Sequence, residues 1–318
     1  MPEVVGSSAR LARGFGLAVV RWFDSWAGQE QEPEQQGRSI DWPRVVPFLL
    51  LHVACLAVIW VGWSPFAVAW AVALYLVRMF AITAFYHRYF SHRAFKTGRV
   101  AQFVFAVLGN SSVQRGPLWW AAHHREHHLN ADTPADTHSP TLHGFWWSHM
   151  GWFLTRQNFR TRVERVRDLA RFPELRWIDR FDVLVPLAGL GLVWLLGAAL
   201  ERWAPGLDTS GAQLVVWSLI STVVLLHATF TINSLAHVFG SRRYATSDTS
   251  RNNFLLALIT LGEGWHNNHH HYQSSARQGF RWWELDLSWY GLLLLERLGI
   301  VWDLRGVPPR VLEEGQAS

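Results

Sequence analysis

The sequence predicts an all-α integral-membrane fold, with four transmembrane helices in two hairpins and a helical cap rich in histidine on one side. Three observations carry this expectation. Half of the 318 residues are hydrophobic, and 20 tryptophans and 19 phenylalanines are among them. Several apolar runs reach the roughly 20 residues that a helix needs to cross about 30 Å of hydrocarbon. Most of the 16 histidines gather just beyond the ends of those runs.

The spans are expected at Val45 to Trp63, Pro65 to Phe85, Val183 to Leu200 and Ala212 to Leu235. Only Ser64-Pro65 separates the first two, and a link with Pro205, Gly206 and Asp208 separates the last two, so each hairpin returns to the side it left. The hairpin tips are nearly free of Arg and Lys, whereas Tyr86 to Arg180 carries fourteen basic residues, Arg88, Arg93, Arg160, Arg162, Arg165 and Arg167 among them. The positive-inside rule therefore puts both termini and this middle segment in the cytoplasm, which for a bacterial chain means the inner membrane. The pairs Trp119-Trp120, Trp146-Trp147 and Trp282-Trp283 suit the interface between hydrocarbon and headgroups. Val100 to Leu108 and Gly144 to Leu154 are too short or interrupted to span and read as interfacial helices.

The formal charge of +5 is almost all arginine, since Lys96 is the only lysine. No nucleic-acid module accompanies it, so cytoplasmic membrane flanks explain it better than nucleic-acid binding. Cys55 stands alone in an apolar run, which excludes an intramolecular disulfide framework and a Cys-rich metal site. Residues 1–40 read as a polar tail with a short amphipathic piece around Leu11 to Trp26 and without a signal-peptide pattern. Residues 41–305 read as the membrane domain and 306–318 as a C-terminal tail.

Three histidine clusters stand out. His87 and His92 form His-x4-His in HRYFSH, directly after the second span. His124, His127 and His128 form His-x2-His-His in HHREHH, and His266, His269 and His270 repeat that spacing in HNNHHH. On a helix, positions i, i+3 and i+4 share a face, so each triplet can aim three imidazoles at one point. His237 follows Asn233 by four residues at the end of the fourth span. Isolated histidines near membrane ends are usually structural, and His52, His143, His149 and His227 are read so. Imidazole suits iron, zinc, copper and nickel alike. Nine candidate ligands exceed what one ion can hold, and two ions with open or water-filled positions fit the count.

The segments HRYFSHR, HREHH, NSLAH and GEGWHNNHH resemble the histidine boxes of the membrane fatty acid desaturases of the stearoyl-CoA desaturase type, over most of the chain from the first span to Trp302. The resemblance implies two iron ions in a di-iron site, held by His87, His92, His124, His127, His128, His237, His266, His269 and His270, with Asn233 reaching one metal through water. His123 and His271 flank the boxes outside the pattern. It further implies that Gln114, Trp120 and Arg156 hold the polar head of the substrate, and that Tyr75 and Met79 line the closed end of an acyl tunnel. The bulk of Met79 then favours palmitoyl over stearoyl chains. Ala122 replaces a basic residue that animal members carry, which leaves acyl-lipid and acyl-carrier-protein substrates beside acyl-CoA.

Removing two hydrogens from unactivated methylenes lies beyond any side-chain acid or base, so an oxidising metal centre and O2 are required. Uncharged imidazoles give the site no charge of its own, and Glu126, Asp132, Asp136 and Glu263 are candidate supporting carboxylates, each equally readable as a solvated or capping acid. The chain has no heme-binding His-Pro-Gly-Gly, no rubredoxin-like Cys pairs and no Gly-x-Gly-x-x-Gly fingerprint. Electrons must then come from a separate ferredoxin, rubredoxin or b-type cytochrome, and the expected partners are this donor, a long-chain acyl-CoA or acyl-lipid, O2 and membrane lipid. The competing readings are a di-iron membrane hydroxylase of alkanes or lipids, a metal transporter and a bis-histidine heme protein. A transporter would hold its ligands near the membrane midplane, and a heme protein would leave most of the histidines unused.

Overall fold

The computed structural model describes residue 16, residues 19–28 and residues 38–315. Most of the expected polar tail, at 1–15, 17–18 and 29–37, lies outside the described residues, as do the last three residues of the C-terminal tail. The principal helices are α1 (Trp42–Val61), α2 (Pro65–Ser91), α3 (Arg99–Asn110), α4 (Pro117–Asn130), α5 (Pro173–Arg180), α6 (Leu184–Trp203), α7 (Gly211–His237), α8 (His266–His271), α9 (Leu287–Arg297) and α10 (Pro309–Glu314).

Four of these, α1, α2, α6 and α7, are long and apolar enough to cross a membrane, and the protein is an all-α membrane protein. Each span expected from the sequence is present, within six residues at either end. The most apolar stretches of α1 and α6 are only 11% and 6% buried, against 39% and 44% for α2 and α7, so α1 and α6 form the outer face. Central α7 packs against α1, α2 and α6.

The hairpin tips are built alike. Ser64 caps α2 by accepting from the backbone N–H of Ala67 at 3.0 Å, with Pro65 in the first turn. Ser210 caps α7 by accepting from Gln213 at 3.2 Å. A hydroxyl pair, Ser64 with Thr209 at 2.7 Å, fastens the two tips together.

Past its midpoint α2 widens into a π-helix over Ala81–Ser91, every residue of which is buried. This stretch is the core of the cap. Phe85 stacks on Phe105 of α3 with centroids 3.7 Å apart, and Ala81, Ile82 and Phe90 pack with Leu118 and Ala122 of α4 and Leu175 and Ile178 of α5. The expected interfacial stretches appear as α3 and as a kinked segment of π and 3-10 turns, Trp147–Leu154. Antiparallel pairing of Lys96–Thr97 with Val301–Trp302 ties the region after α2 to the chain beyond α9. Within residues 306–315, α10 buries Val311 against Tyr244 and Phe280.

Candidate metal centre

α4 delivers the second histidine box. Its buried N-terminal donors, which have no partner within the helix, are satisfied by the buried Asp179 of α5, which accepts from Leu118 N at 2.9 Å and Trp119 N at 2.7 Å, and also from Trp26 Nε1 and Thr161 Oγ1. Gly116 permits this approach, because a Cβ there would lie 2.3 Å from the Asp179 backbone. The third box has similar reasons for its glycines. Gly262 has φ +126°, and a Cβ at Gly264 would lie 2.1 Å from the backbone nitrogen of Ala257.

The nine histidines fall into two groups. The imidazole nitrogens of His87, His92, His124, His128 and His269 lie within 4.8 Å of one another, and so do those of His127, His237, His266 and His270. In the first group the Nε2 atoms face each other: His92 to His124 at 2.8 Å, His124 to His128 at 2.9 Å, His128 to His269 at 3.0 Å and His269 to His87 at 3.0 Å. A neutral ring nitrogen either donates or accepts, so such a chain satisfies its members poorly by hydrogen bonds alone. Two nitrogens each about 2.1 Å from one ion and at right angles about it lie about 3 Å apart, so the spacing fits a metal. In the second group, His266 Nε2 faces His237 Nε2 at 3.1 Å, and the Nε2 of His270 is buried without a hydrogen-bond partner.

Burial, together with the neighbouring imidazoles, pushes His92, His124, His128, His266 and His269 well below the ordinary imidazole value. Burial lowers His270 to about 4 against the opposing pull of Asp248. Neutral rings of this kind are the form that binds metal.

Carboxylates hold the far sides of these rings. His127 Nδ1 donates to Asp136 at 3.1 Å and His270 Nδ1 to Asp248 at 2.8 Å, while His237 Nδ1 lies 3.4 Å from Asp132. His87 Nδ1 pairs with Glu263. Burial alone would raise Asp132, Asp136 and Asp248, but hydrogen bonds outweigh it, and all three carboxyls stay well below the usual range. Glu263 is steadied by buried Arg88, which donates to it at 3.4 Å and to both oxygens of Asp286 at 2.9 and 3.0 Å. Of the four acids singled out in the sequence, Asp132, Asp136 and Glu263 face the histidines. Glu126 pairs instead with Arg165 and Arg162. Sequence reasoning missed Asp248, Gln278, whose amide nitrogen lies 3.2 Å from His87 Nδ1 and donates to Glu263 at 3.3 Å, and the inward role of Arg88, whose only trace is adjacency to His87.

His123 turns away toward the carbonyl of Arg160 at 3.3 Å, and His271 stacks on Tyr244 and pairs with Glu314. His52, His227 and His149 run in a line instead of converging, with nitrogen contacts of 3.1 and 3.0 Å, and end on the Ser234 hydroxyl at 3.0 Å. His138, absent from the sequence reading, lies against His127 with centroids 4.4 Å apart.

A cavity of about 440 Å³ opens between α1, α2, α6 and α7 and reaches His124 and Asn233. Gln114 and Trp120 line it, linked at 3.4 Å from Trp120 Nε1 to Gln114 Oε1, and Trp120 stacks on His124 with centroids 5.0 Å apart. Arg156, Tyr75 and Met79 depart from expectation. Arg156 is exposed and lies outside the lining, and Arg21, Arg44 and Arg115 line the cavity with Asp182 instead. Leu74 and Arg78 line its membrane end in place of Tyr75 and Met79. One residue is a rotation of about 100° on a helix, which turns Tyr75 to the carbonyl of Ile259 and Met79 against Leu225, Ala228 and Leu261.

The family model for fatty acid desaturase matches residues 62–293. The sn-1 stearoyl-lipid 9-desaturase of Anabaena variabilis is 36% identical over 84% of this chain and 94% of its own length. Delta-9 acyl-lipid desaturase 1 of Arabidopsis thaliana is 35% identical over 86% of each chain, and acyl-CoA 5-desaturase AL21 of Anemone leveillei 36% over 82% of this chain and 78% of the relative. With this likeness and histidine clusters that could hold a metal, the chain belongs to the fatty acid desaturase family and is an oxidoreductase acting on fatty acyl chains.

Proposed function

We propose that this desaturase introduces a cis double bond at the delta-9 position of a saturated long-chain acyl group carried as its coenzyme A thioester. It works in a bacterial inner membrane with the site and both termini on the cytoplasmic side, the side favoured by the arginine bias. The observation that carries the reading is the meeting of the five-histidine group with a cavity between the spans at His124, with Asn233, four residues before His237 of the second group, in the same wall.

His87, His92, His124, His128 and His269 would hold one iron, and His127, His237, His266 and His270 the other, with Asn233 contributing through water. Bound iron supplies the oxidising power to take two hydrogens from neighbouring methylenes at the expense of O2. Overall, O2, two electrons and two protons convert the saturated pair of carbons to an alkene and two waters. A separate ferredoxin, rubredoxin or b-type cytochrome supplies the electrons.

The chain's own residues position the substrate. The cavity wall is mostly apolar and keeps water from the methylenes. Trp120, in the wall and stacked on His124, fixes where the acyl chain passes. Arg44 and Arg115, both stacked over the Phe159 ring at 3.9 and 3.7 Å and paired with Asp41 and Asp182, are the basic side chains of the wall that phosphates of the carrier would meet in exchange for these carboxylates. The names of the Anabaena and Arabidopsis relatives, both lipid desaturases, favour a second reading in which the carrier is a membrane lipid.

Iron-loaded protein with a chemical reductant and O2, given stearoyl-CoA or a stearoyl phospholipid, decides between them. Oleoyl product from the thioester alone supports the first reading, and product from the phospholipid alone supports the second. A saturated alcohol in place of an alkene would overturn both in favour of a hydroxylase.

A further inference from the structure

Arg78 lies inside span α2 and is only 5% exposed, yet it forms part of the cavity wall. An ionisable side chain at this depth is costly and marks a functional position by default. Its place along the cavity is set by α7. The lining runs on that helix from Asn233, beside the four-histidine group, to Ser218, fifteen residues or about 22 Å of helix. Arg78 contacts Ser218, Ser221 and Thr222, so it sits at the end remote from the histidines.

The guanidinium has five N–H donors, and all five are used. Nε donates to the carbonyl of Leu74 at 3.3 Å. Nη1 donates to the carbonyl of Ser111 at 3.4 Å and the hydroxyl of Thr222 at 2.7 Å, and Nη2 to the carbonyl of Ser218 at 3.5 Å and the hydroxyl of Ser221 at 3.0 Å. None of the five acceptors is a carboxylate. With no donor left over, the group is not arranged to receive an anion. Held from α2, α7 and the end of α3, it cannot swing aside without leaving several of these bonds unmade, at about 1 to 3 kcal/mol for each buried group left unpaired.

We propose that Arg78 is a specificity-determining residue: it closes the membrane end of the cavity with a fixed polar wall that the methyl end of an acyl chain cannot pass. The inference rests on the reading of the cavity as the acyl site. It assigns the limit on chain length to Arg78, not Met79.

The test is competition between palmitoyl and stearoyl substrates in the carrier that the wild type accepts. Arg78→Met replaces the fixed guanidinium with a flexible apolar side chain that can yield to the methyl end, and the stearoyl-to-palmitoyl product ratio is expected to rise about tenfold, the effect of admitting one or two further methylenes. Leu219 lines the same end, and Leu219→Trp is expected to lower the ratio by a similar factor. This second variant keeps the test open should Arg78→Met fail to fold. An unchanged ratio in Arg78→Met that is monodisperse and retains wild-type metal content overturns the proposal, as does an unchanged ratio in Leu219→Trp. Absence of alkene from both chains with the wild type would overturn the underlying acyl reading instead.

Discussion

His92 donates its backbone N–H to the carbonyl of His87 at 3.3 Å, and the two imidazole rings meet with centroids 4.9 Å apart. An α-helix would set residues five apart about 140° away from each other. The π-turn closes on the fifth residue and brings both rings to one side. The wide helix of α2 is thus what brings the two rings of a His-x4-His pair together. Wild-type protein is expected to take up two irons per chain. An alanine inserted after Tyr89 spaces the pair six apart, and metal content is expected to fall to one ion, retained by the four-histidine group. Undiminished loading of the insertion variant, measured by elemental analysis, would show that the π-turn is unnecessary.

Asp248 lies 2.8 Å from His270 Nδ1 and has no part in the first group of histidines. Replacing such a partner typically weakens metal binding 10- to 100-fold. Asp248→Asn is expected to lose one of the two irons to a chelator at about that ratio of concentrations, while the other stays bound. Loss of both ions together would mean that the two groups are not independent.

Asn233 precedes His237 by one turn on α7 and lines the cavity. A contact made through water is partly replaced by a second water, so Asn233→Ala is expected to keep measurable turnover and both metals. His237→Ala should lose the metal of its group. Equal inactivity of the two variants, with both metals retained in Asn233→Ala, would assign Asn233 a direct contact.

The spans and the nine histidines were legible because each rests on a local pattern. A run of apolar residues and an i, i+3, i+4 spacing keep their meaning whatever the chain does elsewhere. Features that depend on distant pairing were not legible. Asp248 reaches His270 only because the stretch after α7 folds back, as the pairing of Ser241 with Asn252 and of Asn252 with Trp265 records. Arg88 read as one more cytoplasmic basic residue, yet it is 1% exposed and clamps Asp286 from 198 residues away. The choice between Met79 and Arg78 at the cavity turned on a rotation of one residue. Helical periodicity alone does not fix that phase where α2 is apolar almost all round.

Asp182 receives Arg115 Nε at 2.7 Å at the cavity wall, yet burial outweighs that partner and pushes its carboxyl up to about 6. The sign of the consequence follows from proton binding. Between the ordinary carboxyl value, about 4, and about 6, the folded protein holds a proton that the unfolded chain has released, so stability falls as pH rises through this window. Two units correspond to about 3 kcal/mol. Asp182→Asn cannot lose a proton, and its stability carries no such term. Protonation of the histidines at the acid end affects both proteins alike and cancels in the comparison. Thermal unfolding in detergent from pH 4 to pH 7 is therefore expected to show Asp182→Asn gaining on the wild type by up to about 3 kcal/mol as pH rises, with the change complete just above pH 6. If the wild type gains on the variant over that range instead, the ion pair with Arg115 dominates burial, and the carboxyl titrates below its ordinary value.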